Sequence, residues 1–279
     1  MPRGTDRHIT APARWRKSLA WGLALAVSAG AAQAGPQGNE VLLVLDKASL
    51  VAVRPDGRRV GGERLAGSVL SLRIQGVAAS RVRIDRVRAD PDDASGDILL
   101  YELSDARAGG GPVCAPDAQG IAAAVAVAGT WSTQGSRVSA DGITMACTSD
   151  AMGKCLRWGY RHWLKTPAGA PMLDHYTACT RAVTADYCGT GRGHTRDGTL
   201  IDIYDKAGVQ APAPDGKLAF EAGFSAAGAV CIAKPRLDRD TLEETVAACP
   251  AKLAATSGPQ RCTEGAAAAA GALVFIRSR

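Results

Sequence analysis

Residues 172–189 read M-L-D-H-Y-T-A-C-T-R-A-V-T-A-D-Y-C-G. Leu173, Tyr176, Cys179 or Thr180, Val183 and Tyr187 recur at intervals of three and four, which lays apolar side chains along one stripe of an amphipathic helix. Gly189 supplies a stop. Ten residues on, residues 199–205 (T-L-I-D-I-Y-D) return to period two, the mark of a half-buried strand. This change of period makes the chain mixed α+β.

Working outward, strands dominate. Leu70, Leu72 and Ile74 alternate with Ser71, Arg73 and Gln75, and Val82 and Ile84 alternate with Arg81, Arg83 and Asp85. Pro55-Asp56-Gly57 turns the chain after the run from 41 to 53, and the polar stretch 89–96 precedes a strand at 98–103. Arg81, Arg83, Arg86 and Arg88 read as the solvated face of an antiparallel strand. No aromatic residue lies among them to stack on bases, so they give no support to a nucleic-acid partner. Residues 106–118 form a Gly/Pro-rich connection. Residues 121–128 and 143–147 read as short buried strands, and residues 240–248 as a short helix ended by Pro250. The apolar run 266–276 reads as a buried terminal strand. The expected fold class is therefore α+β and β-rich, disulfide-stabilised, with antiparallel strands and one or two short-to-medium helices.

The chain opens on a leader. Arg14, Arg16 and Lys17 precede the apolar stretch 19–29, and Ala32-Gln33-Ala34 offers a small-x-small cleavage site before Gly35. The apolar stretch is shorter than the about 20 residues a spanning helix needs. It reads as a Sec-type signal peptide, residues 1–34, with no transmembrane segment in the mature chain. The expected organisation is then a β-rich region at 35–111 and a cysteine-rich domain at 112–279. The leader also accounts for most of the charge. The whole chain carries a net +6 and a pI near 9.0, but Arg3, Arg7, Arg14, Arg16 and Lys17 against Asp6 all lie before residue 35. A basic partner surface does not follow from that pI.

Eight cysteines, Cys114, Cys147, Cys155, Cys179, Cys188, Cys231, Cys249 and Cys262, all follow the leader. An even count in an exported chain reads as four disulfides, with connectivity open. One pairing is disfavoured. Nine residues of helix separate Cys179 from Cys188 by about 13 Å, whereas a disulfide needs Cα atoms within about 7 Å. The cysteines lack the close spacing of a zinc site, so no metal and no cofactor is expected.

Special residues concentrate in one segment. Trp158, Tyr160, Trp163, Tyr176, Tyr187 and Tyr204 lie there with His162, His175 and His194. The ordered set K-C (154–155), W-G-Y (158–160), A-C-T-R (178–181), A-D-Y-C-G (185–189) and H-T-x-D-G-T (194–199) resembles the ADYC-domain family of bacterial proteins. The resemblance covers roughly residues 112–279 and is strongest from 147 to 205. It implies an exported protein with structural cysteines, and it brings no activity with it. Ala182-Val183-Thr184 departs from the more basic stretch expected before the tetrapeptide, which argues against a cationic patch as essential there.

Two sets of candidate residues follow. His194 with Asp197 and Asp202 is a base with orienting carboxylates, the arrangement a hydrolase-like enzyme would use. No G-x-S-x-G elbow accompanies it, and the favoured reading is that Asp197-Gly198 is a turn into a strand, with His194 and Thr195 satisfying backbone groups around it. Trp158, Tyr160, His175, Arg181, Asp186 and Tyr187 are the ligand-contact candidates. Asp186 and Tyr187 also suit a structural corner, with Asp186 pairing to Arg181 or to loop amides. The glycines of 189–193 lack the Lys-Ser/Thr of a phosphate loop. Asp197, Asp202 and Asp205 lack the spacing of a calcium loop. The expectation is an exported binding or structural domain, a cell-envelope component or secreted, with hydrolysis as the alternative.

Overall fold

The computed structural model describes residues 25–27 and 41–279, except 75, 76, 108, 133, 134 and 215. The expected cleavage site at Ala34 lies outside these residues. Strands β1 (Leu25–Val27), β5 (Val69–Ile74), β6 (Val77–Ala89), β7 (Leu99–Asp105), β8 (Ala124–Trp131) and β9 (Arg137–Cys147) close an antiparallel barrel in the order β1-β5-β6-β7-β8-β9. Three residues of the expected leader thus take part: β1 pairs β9 through Leu25↔Met145 and Val27↔Ile143, and β5 through Ala26↔Arg73. A three-stranded sheet of β2 (Leu42–Asp46), β3 (Ser49–Val53) and β4 (Arg59–Gly61) precedes β5. The Tyr101 hydroxyl of the barrel accepts from the Leu50 amide at 2.7 Å, tying the two sheets together.

Beyond the barrel come helices α1 (Ala151–Arg157) and α2 (Met172–Thr184). A second antiparallel sheet follows, ordered β10 (Ile201–Asp205), β13 (Val274–Ser278), β11 (Ala219–Ser225), β12 (Gly228–Ile232). Short helices α3 (Leu242–Ala247), α4 (Ala251–Thr256) and α5 (Glu264–Ala269) fill the connections of that sheet. The class is α+β and β-rich. Helices α1, α4 and α5, each six or seven residues long, are additional to the one or two helices expected.

Three apolar clusters explain the sequence pattern. Ala124 and Ala126 of β8 point into the barrel with Leu103, Met145 and Tyr101, while Ala123, Val125 and Val127 face α1 and α2. Strand β8 is buried on both faces, which is why 121–128 shows an unbroken small apolar run instead of alternation. Helix α2 is more enclosed than its stripe suggested. From Met172 to Val183 only Leu173 and Asp174 escape burial, because the barrel lies on one side and β11 and β13 on the other. A third cluster, with Tyr204 and Phe275, packs α5 beneath the second sheet.

The apolar run 266–276 is corrected in part. Its alanines form α5, started by the Thr263 hydroxyl accepting from the Ala266 amide at 3.2 Å, and only Val274–Ser278 is strand. Alanine has the strongest helix preference, and the N-cap directs where it is expressed.

The cysteines pair Cys114–Cys147, Cys155–Cys179, Cys188–Cys249 and Cys231–Cys262, and none is free. Cys179 and Cys188 are not bonded to each other. Cys155–Cys179 joins α1 to α2 with both residues fully buried. Closing that loop of 24 residues stabilises the fold by about 3 kcal/mol in the chain-entropy account. Native protein treated with iodoacetamide should therefore gain no adduct mass, and reduced, unfolded protein should gain eight adducts. Any adduct on the native protein would contradict the pairing.

Candidate functional site

At the C-terminal end of α2 the chain must satisfy its last carbonyls and turn into the second sheet. Ala185 takes the left-handed conformation (φ 52°) and is fully buried. Its amide bonds the Ala182 carbonyl at 3.2 Å, and the Asp186 amide bonds the Arg181 carbonyl at 2.9 Å. The remaining carbonyls are capped from outside the helix. The Arg236 guanidinium donates to the Ala182 carbonyl at 2.6 Å and to that of Val183 at 2.7 Å.

Asp186, with no exposed surface, accepts from the Arg181 guanidinium at 2.5 Å and from the Thr190 and Gly191 amides at 3.1 and 2.9 Å. Arg181 in turn donates to the Ala226 carbonyl at 2.6 Å. The Tyr187 hydroxyl donates to Glu221 Oε1 at 2.9 Å and accepts the Arg236 amide at 2.9 Å. Burial first, then the adjoining Glu221 carboxylate, drives its acidity far down, so it stays a neutral donor. Its ring stacks on Phe224. Cys188 bonds Cys249. Gly189, at φ +72°, leaves no room for a Cβ, which would collide with the Ala227 carbonyl. Each residue of A-D-Y-C-G is thereby used inside the protein.

A family model, the ADYC domain, matches residues 62–238. The chain belongs to the ADYC domain family. The match begins before β5 and crosses the Gly/Pro-rich connection at 106–118, on either side of which β7 and β8 pair in one barrel. No curated protein and no solved structure matches the chain.

The ligand-contact candidates divide between two packed clusters in this ADYC domain. Arg181, Asp186 and Tyr187 form the corner just described. Trp158, Tyr160 and His175 gather elsewhere, around the turn after β10. There Tyr160 donates to Asp205 Oδ2 at 2.9 Å, and the Trp158 carbonyl accepts from Gln210 Nε2 at 2.5 Å. Burial lowers the basicity of His175 against the pull of Asp205 and Asp174, and its Nδ1 has no partner among the described residues.

The histidine-carboxylate set does not assemble as the spacing suggested. His194 Nδ1 lies 3.0 Å from Asp240 Oδ2, and its ring packs 5.6 Å from that of Tyr187. Asp202 accepts the Ala213 amide at 3.1 Å and faces Arg277 at 3.7 Å. Asp197 lies in an open cleft. Asp240, 46 residues from His194, carries no sequence signal that links the two.

That cleft, about 280 Å³, opens between the β9–α1 junction and the loop of the H-T-x-D-G-T motif. Ser149, Asp150 and Lys154 line one wall, and Arg196, Asp197 and Gly198 the other. Thr195, also in the lining, accepts from Arg236 at 3.2 Å, so the corner holds the loop in place. Asp150 stands at the N-cap of α1 without capping it. Burial, opposed by Lys154 and assisted by Asp197, raises its pKa above the ordinary aspartate value. Asp150 lies outside every reading made from the sequence, where it was one acidic residue among many. Among the described residues no group of three or more His, Cys, Asp or Glu could hold a metal ion.

Two predictions follow from this geometry. Tyr187→Phe removes the donor to Glu221 and the acceptor of the Arg236 amide, and should cost about 1–3 kcal/mol. Glu221→Ala leaves a buried guanidinium without its counter-charge, and should cost about 3–5 kcal/mol. Urea unfolding of both variants checks the order, which a Tyr187→Phe cost larger than that of Glu221→Ala would contradict. Because Asp150 ionises less readily in the folded chain, its charge opposes folding above the raised value and not below the ordinary one of 3.8. Asp150→Asn should therefore melt higher than the parent at pH 7, with the gain fading as the pH falls towards 3.8.

Proposed function

We propose that the chain is an exported, non-catalytic binding domain of the cell envelope or the secreted medium, and that the cleft between the β9–α1 junction and residues 195–199 is its ligand-facing surface. The observation that carries this reading is a contrast in how polar groups are used. The motif side chains Arg181, Asp186, Tyr187 and Cys188 are committed to internal partners. Asp150, Lys154, Arg196 and Asp197 line the cleft, and among the described residues their side chains make no hydrogen bond or ion pair. A rigid frame beneath an unpartnered polar surface suits recognition.

Export is supported by the leader at 1–34 and by the four disulfides, which persist in oxidising compartments. Among the described residues, no helix is long and apolar enough to cross a membrane. Hydrolysis through His194 gains less support, since its ring pairs with Asp240 and every cysteine is in a disulfide.

The test has two parts. Protein recovered from the periplasm or medium of an expressing bacterium should begin at Gly35 on N-terminal sequencing. A panel of chromogenic esters, amides, phosphoesters and glycosides should show no turnover that His194→Ala abolishes. Turnover lost in His194→Ala at unchanged melting temperature would overturn the non-catalytic reading, and retention of residues 1–34 in the cytoplasm would overturn export.

A further inference from the structure

The cleft carries its charges in a particular arrangement. On one wall Asp150 and Lys154 are four residues apart at the start of α1, and so share a face of the helix. They do not close into an ion pair. On the other wall Arg196 and Asp197 are adjacent in the motif loop, and neither side chain makes a hydrogen bond or ion pair among the described residues. Each wall therefore offers one cation and one anion, and the four formal charges cancel. Three of the hydroxyls nearby are engaged: Thr184 donates within α2 at 3.0 Å, Thr199 to the Arg196 carbonyl at 2.8 Å, and Thr195 accepts from Arg236, which leaves Ser149 as the neutral hydroxyl of the lining.

Charge complementarity narrows the occupant. A bare cation would meet Lys154 and Arg196, and a phosphate would meet two carboxylates. A neutral sugar finds no aromatic side chain in the lining to stack on. Resting on the reading of this cleft as the binding surface, we infer that it takes a small zwitterion, an α-amino acid or a short peptide. Its ammonium sits against Asp150 and Asp197, and its carboxylate against Lys154 and Arg196. Size agrees. The cleft offers about 280 Å³. That is room for an amino acid or a dipeptide, and it sits below the usual range for larger organic ligands. The partly buried Asp150 gives the ammonium end its gain, since a bound cation relieves a carboxylate that burial has made reluctant to ionise. Arg196 and Asp197 are exposed, so each contact is screened and affinity falls in the millimolar range.

The experiment is a ¹⁵N NMR titration of the full, disulfide-bonded chain. The probes are alanyl-alanine, its N-acetyl form, its C-terminal amide and the doubly blocked peptide. Alanyl-alanine should shift the amides of Asp150 and of residues 195–198 to saturation. Each singly blocked peptide should bind about fivefold more weakly, and the doubly blocked one should leave them unmoved. Asp197→Asn, at the rim of the cleft, should narrow the gap between alanyl-alanine and its N-acetyl form, and Arg196→Gln should narrow the gap to the amide. Equal binding by the doubly blocked peptide would overturn the inference. Glucose, inorganic phosphate and calcium are titrated alongside. If one of these moves the cleft amides and the dipeptide does not, the ligand class is wrong and the binding surface stands. If every probe leaves the cleft unmoved, both fall.

Discussion

The guanidinium of Arg236 lies out of water, and its counter-charge Glu221 is equally enclosed. A charge so placed is tolerated only when it is paired and its donors are satisfied. Arg236 meets that demand completely. It reaches both oxygens of Glu221 at 2.9 Å, the Ala182 and Val183 carbonyls in the last turn of α2, and the Thr195 hydroxyl, while its amide donates to Tyr187. One residue thereby ties together a helix end, the second sheet, the motif that names the family and the loop lining the cleft, the motif through its amide and the others through its side chain. The rest of the C-terminal half takes its position from this point.

From that constraint the remaining features follow in sequence. Once α2 ends on Arg236, Ala185 must reverse the chain, and Asp186 gathers the amides of the returning loop. Cys188 then fastens the loop to Cys249, and Gly189 lets it pass against the turn at 226–228. The Cys155–Cys179 bridge holds α1 against α2, so that Asp150 and Lys154 stand across from residues 196–198. The cleft is the space between two elements that are each fastened independently.

Much of the local structure was legible in the residues. The change from period two to period 3.6 at Met172 and back at 201 located α2 and β10, because both elements present one chemically distinct face over enough residues to register. Helical rise argued against a Cys179–Cys188 bridge, although α2 ends at Thr184, short of Cys188. The ambiguity of Asp186, corner or contact, was visible too, since a carboxylate five residues from an arginine at a helix end has few other uses. What spacing could not convey were the pairs separated by long stretches of chain: His194 with Asp240, Glu221 with Arg236, Tyr160 with Asp205. Each partner looks like an isolated polar residue until the second sheet folds back over α2. Asp150 was hidden for the opposite reason. Its importance lies in having no bonded partner, and only the surrounding burial reveals that. The alanines of α5 read as strand because they sit beside genuine strand residues, and the Thr263 cap that separates the two states is a single side chain.

The most direct test of the central claim is native-state hydrogen exchange on Arg236→Met, a substitution that keeps length and apolar bulk and removes the charge and every donor of the side chain. The account predicts lost protection concentrated at the amides of Ala185, Asp186, Thr190, Gly191 and His194, with the paired amides of β8 and β9 unchanged. Uniform loss across the chain, or full protection at those five positions, would contradict it.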